Sequence, residues 1–176
     1  MKIEQFIKTF IKDSKYFLKE AKRNSIDNEL RLRFIKASII SIWTALEGWL
    51  NCIAHQFGTF LSSKQIELHE KAFLLEKKLE LHNGEWKISQ SDDYHRVEDK
   101  ILFLLNRFGP HRLDKTGKLW SDFQKIKKIR NGLVHPKTGK LEIKDLTIDN
   151  ADLSIKTVVE ILKILTKQIY KKELSI

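Results

Sequence analysis

From Ile3 to Arg23, apolar residues fall at Ile3, Phe6, Ile7, Phe10, Ile11, Phe17, Leu18 and Ala21. Spacings of three and four put these on one side of a helix. The other side carries Lys8, Lys12, Lys15, Lys19 and Lys22, a basic ridge suited either to a phosphate backbone or simply to solvent. A second, longer helix is expected from a cap at Asp27 or Asn28, through Phe34, Ile35, Ile39, Ile42, Trp43, Leu46, Leu50, Ile53 and Phe57, to a stop at Gly58. Between Ala37 and Ala54 it is apolar nearly all round, which predicts the central helix of the core. Glu47 interrupts that surface, one turn after Trp43. A buried carboxylate must find a partner or be neutralised. Either it orients a catalytic Arg or His, or it accepts hydrogen bonds from a neighbouring helix.

A third helix is expected from Ser62 or Ser63 through Ile66, Leu68, Ala72, Phe73, Leu75 and Leu79. The run Leu79 to Ile88 then alternates around Asn83-Gly84, a strong hairpin signal, unless the third helix continues through Leu81. Leu141 to Ile148 also alternates and is a candidate to pair with it. Asp92 or Asp93 is expected to cap a fourth helix through Val97, Ile101, Leu104, Leu105 and Phe108, ended by Gly109-Pro110. The fifth carries Leu119, Trp120, Phe123, Ile126, Ile129, Leu133 and Val134 on its core face, with Lys125, Lys127 and Lys128 outside. The last, capped by Asp149 or Asn150, runs through Leu153, Ile155, Val158, Ile161, Leu165 and Ile169. These elements predict an all-α, irregular up-and-down bundle of about five to six helices, with at most a small β-hairpin appendage.

The length of 176 residues fits a single domain over 1–176 that hides roughly 70% of its unfolded surface. Two prolines, seven glycines and 41% hydrophobic residues exclude a Pro/Gly-rich disordered chain. A net charge of +10 favours polyanionic partners, chiefly nucleic acid or anionic membrane, although a Lys-rich solvated surface has the same composition. The lone Cys52, read as a small buried side chain, excludes an internal disulfide and suits an intracellular chain. The charged start Met1-Lys2-Ile3-Glu4-Gln5 lacks a signal-peptide core, and no uninterrupted apolar run reaches the roughly 18 residues of a membrane span. A soluble cytoplasmic protein with no membrane partner is the expectation.

The candidate chemistry lies in Ile129-Arg130-Asn131-Gly132-Leu133-Val134-His135-Pro136. Pro136 disfavours the α region at the preceding residue and Gly132 weakens the same turn, so His135 is expected at the helix end or just beyond it. Histidine is the usual side chain for moving a proton near neutrality without a metal. Arg130 supplies a planar, permanently charged fork for phosphate oxygens. In an unbroken helix, residues five apart point about 140° from one another. Arg130 and His135 therefore converge on one substrate only if the helix breaks or a second protomer contributes. Asn131 precedes His135 by four residues and shares its face. Spacing alone is weak: seven arginines, six histidines and three allowed spacings predict about 0.7 chance matches. The helix end and the basic, helical surroundings give the motif its meaning.

Arg130-Asn131-Gly132-Leu133-Val134-His135-Pro136 resembles the Arg-x4–6-His signature of the HEPN superfamily, including the frequent Asn after Arg. The long apolar helix with Glu47 resembles that superfamily too, where an acidic or polar residue on an earlier helix often accompanies the motif. The likeness spans about residues 3 to 170, and its specific part is the seven-residue motif plus Glu47. It implies a homodimer whose paired Arg and His line one cleft, and RNA cleavage without metal or cofactor. The 2′-hydroxyl attacks the adjacent phosphate and leaves a 2′,3′-cyclic phosphate. The resemblance implies that His135 transfers protons, Arg130 stabilises phosphorane charge and Asn131 positions one of them. Glu47 joins them as a candidate catalytic residue, and Lys127, Lys128 and Lys137 are the candidate substrate-binding residues. Such domains serve as toxins, abortive-infection effectors or other defence ribonucleases, so an antitoxin or regulatory protein is an expected kind of partner. One toxin branch carries Tyr two residues after the His, where a partner nucleotidyltransferase modifies it; this chain has Lys137 there.

Other readings are weaker. A catalytically silent helical module binding RNA, a nucleotide or a protein needs only the same fold. A metal-dependent nuclease using Glu142-Ile143-Lys144, or the similar Glu85-Trp86-Lys87, lacks a substantial sheet. His69-Glu70 opens like a zinc-protease helix, but Phe73 stands where the second His must be. Gly139-Lys140 is followed by Leu141 and lacks the glycine spacing of a phosphate loop.

Overall fold

The first apolar stripe forms α1 (Ile3–Ala21), burying Ile7, Ile11, Leu18 and Ala21. In this computed structural model, which describes residues 3–135 and 143–174, α1 packs along α2 (Asn28–Phe60). Phe6 sits against Gly48, Ser14 Oγ donates to the Ser38 carbonyl at 2.8 Å, and Phe17 stacks on Phe34. This descending order makes the pair antiparallel. Asp27 caps α2, its side chain accepting from the Leu30 amide at 2.8 Å.

Gly58 does not stop α2, which continues to Phe60 and ends at an extended Leu61. The glycine is there for packing: a Cβ at position 58 would stand 2.8 Å from Leu75 Cγ. The third helix is also shorter than its apolar pattern suggests. Ser62 and Ser63 lie before it in a turn, and α3 covers only Leu68–Leu74, started by a reciprocal capping box between Glu67 and Glu70. Glu76, at φ 52°, turns the chain out of the helix. The chain then forms β1 (Lys77–His82) and β2 (Glu85–Asp92), so the helix does not reach Leu79 or Leu81. Asn83 and Gly84 take φ of 52° and 80°, the mirror-image turn that matches strand twist. Leu79 faces Ile88 and Leu81 faces Trp86 across this hairpin.

Asp92 closes β2 and pairs with Lys77, so neither it nor Asp93 caps the next helix; Arg96 precedes α4 (Val97–Phe108) instead. After Gly117, α5 (Lys118–Val134) buries Phe123, Ile126 and Ile129, while Leu133 is half-buried and Val134 is exposed rather than part of the core face. In the second alternating run, Leu141 and Glu142 fall outside the described residues, as do Pro136, Lys137, Gly139 and Lys140. Its remainder is not a strand: Ile143–Asp145 is a 3-10 turn, and Thr147, not Asp149 or Asn150, caps α6 (Ile148–Tyr170). Among the described residues β1 pairs only with β2.

α2 contacts α1, α3, α4, α5 and α6, and its Ile42, Ala45, Leu46 and Leu50 are fully enclosed. By length and composition α2 is long and apolar enough to cross a bilayer, despite its interruptions. More than half of that window is instead buried inside the fold. Cys52 is exposed, not buried, on a part of α2 that the neighbouring helices leave open beside Asn51 and His55.

The Gly58 packing predicts the sign of a substitution. Ala gains up to about 1 kcal/mol of helix propensity, whereas forcing a methyl into a filled contact costs about 1–3 kcal/mol. Gly58→Ala is expected to lower the denaturant midpoint of unfolding; an unchanged or higher midpoint means that the α2–α3 contact yields freely.

Candidate functional site

The helix packing determines where α5 presents its chemistry. Phe123 on α5 stacks on Trp43 of α2 at 5.7 Å with an 11° interplanar angle, and Ile126 and Ile129 fill the seam below it. One residue past Ile129, Arg130 is thereby held against α2. Its Nη2 donates to Glu47 Oε1 at 3.0 Å and Oε2 at 3.2 Å. Its Nη1 donates to Asn131 Oδ1 at 3.3 Å, and its Cζ lies 5.6 Å from the Trp43 ring. Both charged side chains are largely enclosed, Arg130 at 20% exposure and Glu47 at 33%. The carboxylate that interrupts the apolar helix thus answers its desolvation with an arginine from a facing helix.

His135 is the C-cap of α5 and has left helical geometry at φ −131° and ψ 66°. Its amide donates to the Asn131 carbonyl at 2.8 Å, which keeps the last turn closed. The residue is exposed, and no hydrogen bond or ion pair to its imidazole occurs among the described residues. Glu47, Arg130, Asn131 and Trp43 are therefore gathered into one cluster. Among the described residues, His135 joins them only through the backbone of Asn131.

The three lysines differ. Lys127 is half-buried and ion-paired with Glu98 of α4, so its charge joins α5 to α4. Burial pushes the Glu98 carboxyl up, but the hydrogen bond from Lys127, a backbone hydrogen bond and the Lys127 and Arg96 charges hold it below the usual carboxylate range. Lys128 is exposed and makes no ion pair among the described residues. Lys137 lies outside the described residues.

Two features were not singled out from the sequence. The Trp43 ring lies beneath the guanidinium, and its Nε1 is buried without a partner among the described residues. Its position one turn before Glu47 was the available signal. Lys100, only 6% exposed, bonds Glu76 at 2.6 Å and Asn51 Oδ1 at 2.7 Å, tying α4 to α2 and to the start of the hairpin. Helical periodicity gave no sign of a buried lysine there. Among the described residues, no three His, Cys, Asp or Glu side chains converge as metal ligands.

Chemically, the cluster is an anchored cation. Glu47 fixes one edge of the guanidinium, while its Nε–H has no partner among the described residues. A fork oriented in this way can present an N–H to a phosphate oxygen at little further ordering cost.

Two outcomes follow. In a double-mutant cycle, Glu47→Ala and Arg130→Ala are expected to couple by about 1 kcal/mol or more, above the range of an exposed pair. Strictly additive effects on unfolding free energy would mean that the pair contributes nothing. For Glu98, the depressed folded pKa makes its contribution full above the unfolded carboxylate pKa and lost as pH falls through the folded one. Acid unfolding of Glu98→Gln should therefore depend less on pH below about 4.5 than that of the wild type; identical pH profiles would exclude this linkage.

Neither family models, curated proteins nor solved structures give a match to this chain.

Proposed function

We propose that this chain is a metal-independent endoribonuclease of the HEPN type, acting as a homodimer. The observation that carries this reading is Arg130, anchored by Glu47 on the last turns of α5, with His135 released from the helix five residues later. The 2′-hydroxyl attacks the neighbouring phosphorus and the bond to the 5′-oxygen breaks. The products are a 2′,3′-cyclic phosphate and a 5′-hydroxyl. His135 moves the proton that must leave the nucleophile or reach the leaving oxygen. Arg130 stabilises charge on the phosphorane oxygens. Asn131, bonded to Arg130 through its side chain and to His135 through its carbonyl, positions both. Lys128 contributes to phosphate attraction at the same helix end, and Lys137 is assigned the same role from sequence. The partner protomer supplies a second Arg and His, so two half-sites form one cleft. A role as a toxin or defence effector, held in check by an antitoxin or regulatory protein, belongs to the same proposal.

One observation favours a second reading. Both Glu47 oxygens and the Asn131 side chain already occupy the Arg130 fork, as they would if Arg130 only joined α5 to α2. The chain would then be a silent helical module that binds RNA, a nucleotide or a protein.

Cleavage of a labelled RNA in excess EDTA separates the two. Wild type should give cyclic-phosphate ends, and His135→Ala or Arg130→Ala should lower the rate by about 100-fold or more. Cleavage stopped by EDTA, or both variants fully active, overturns the mechanism. Binding without turnover by a folded wild type supports the silent module.

A further inference from the structure

The lysine row of α1 is left without ion-pair partners among the described residues. Lys12, Lys15, Lys19 and Lys22 are exposed and Lys8 is half-buried. None of the five makes a hydrogen bond or ion pair among the described residues. Elsewhere several helix-surface cations are neutralised at one-turn spacing, as in Arg33–Glu29, Lys118–Asp122 and Lys156–Asp152, and those left without an ion pair among the described residues, such as Lys128, do not form a row of five. On α1, Glu4 only heads the row, whereas Asp13 and Glu20 lie on the other flank, with Glu20 paired to Arg23. Successive lysines at three and four residues are surface neighbours and repel one another. The row is thus a standing electrostatic cost that an external anion would relieve.

Its position and shape narrow the ligand. Phe6, Ser14 and Phe17 face α2, and the row lies roughly half a turn round α1 from them. It therefore faces away from α2 and from the Glu47–Arg130 cluster. Lys8 to Lys22 spans about 21 Å at roughly 1.5 Å per residue. Tyr16, 57% exposed, is a surface neighbour of Lys12 and Lys19 and leans on Phe17 with ring centroids 5.7 Å apart. A line of unpaired cations beside an exposed aromatic ring suits a strand with both phosphates and unstacked bases. An anionic bilayer is a poorer match, because the apolar side of α1 is spent on the core, with Ile7, Ile11 and Leu18 buried and unable to insert.

We propose that the α1 face formed by Lys8, Lys12, Lys15, Lys19, Lys22 and Tyr16 is a second RNA-binding site, holding a single strand by its backbone with one base stacked on Tyr16. It is separate from the Arg130 cluster and does not depend on cleavage there.

Binding of a short 2′-O-methylated RNA single strand, which cannot be cleaved by 2′-hydroxyl attack, tests this apart from catalysis. Affinity is measured against salt for the full chain. Lys12→Gln, Lys15→Gln and Lys19→Gln combined should reduce the slope of log affinity against log salt by about 2, at about 0.7 per lost phosphate contact. A control triple with the same charge loss, Lys64→Gln, Lys78→Gln and Lys172→Gln, should leave most of the slope. Tyr16→Ala should weaken binding about tenfold with the slope unchanged. These side chains point outward, and unchanged circular dichroism verifies folding. Equal losses from both triples mean diffuse attraction and overturn the site, as does a Tyr16→Ala variant that binds like wild type. Tighter, row-dependent binding to phosphatidylserine vesicles than to RNA overturns it in favour of a lipid surface. Loss of cleavage in Arg130→Ala with intact row-dependent binding leaves this site standing, whereas cleavage without row-dependent binding removes only this site.

Discussion

The structure depends on enclosing α2. A 33-residue helix that is apolar on most of its circumference cannot be satisfied by one neighbour, and α1, α3, α4, α5 and α6 all contact it. Removing about 100 Å² of apolar surface from water is worth roughly 2.5 kcal/mol, so covering α2 decides where every other helix can lie. Small residues set how close they come: Gly48 admits the Phe6 ring and Gly58 admits Leu75. The same enclosure creates the polar problem at Glu47. Its carboxylate lies one turn from Trp43, whose stack on Phe123 brings α5 alongside, and Arg130 of α5 meets it there.

This explains what the sequence disclosed. Helical stripes are long-range repetitions of one spacing, so α1, α2, α4, α5 and α6 could be read from their apolar positions. The hairpin was legible for a different reason: Asn83-Gly84 demands positive φ at both residues, and few other turns tolerate it. Boundaries were harder because they depend on local competition. The pattern Ile66 to Leu79 is compatible with a helix, yet a left-handed Glu76 and the pull of strand pairing cut α3 to seven residues. A glycine can mark a helix end or a close contact, and residue spacing does not distinguish these roles at Gly58.

The site was legible in composition but not in geometry. Glu47 required a partner on desolvation grounds, and Arg130 was one of the cations available to meet that need. The core face of α5 was legible, but choosing among the cations required knowing that this face packs on α2 at Trp43, which sets Arg130 against Glu47. Lys127 looked like a solvent-facing cation beside the motif, but α4 approaches there and presents Glu98. Pairings between helices are set by packing distances that a one-dimensional pattern does not contain.

The helix end has one further physical consequence for the proposed chemistry. Five residues along an intact helix would splay Arg130 and His135 by about 140°. In the fold, Arg130 is fixed by the helix and by Glu47, whereas His135 already has non-helical backbone angles. The direction of the imidazole is therefore no longer dictated by the helical screw that directs the guanidinium. A reaction that needs a fixed cation for developing phosphate charge, and a proton carrier that serves different oxygens, places unlike demands on its two groups. Ending α5 between them separates those demands. Because the guanidinium is committed to its own carboxylate along one edge, a second Arg from a facing protomer would add charge at the phosphate without weakening the anchor.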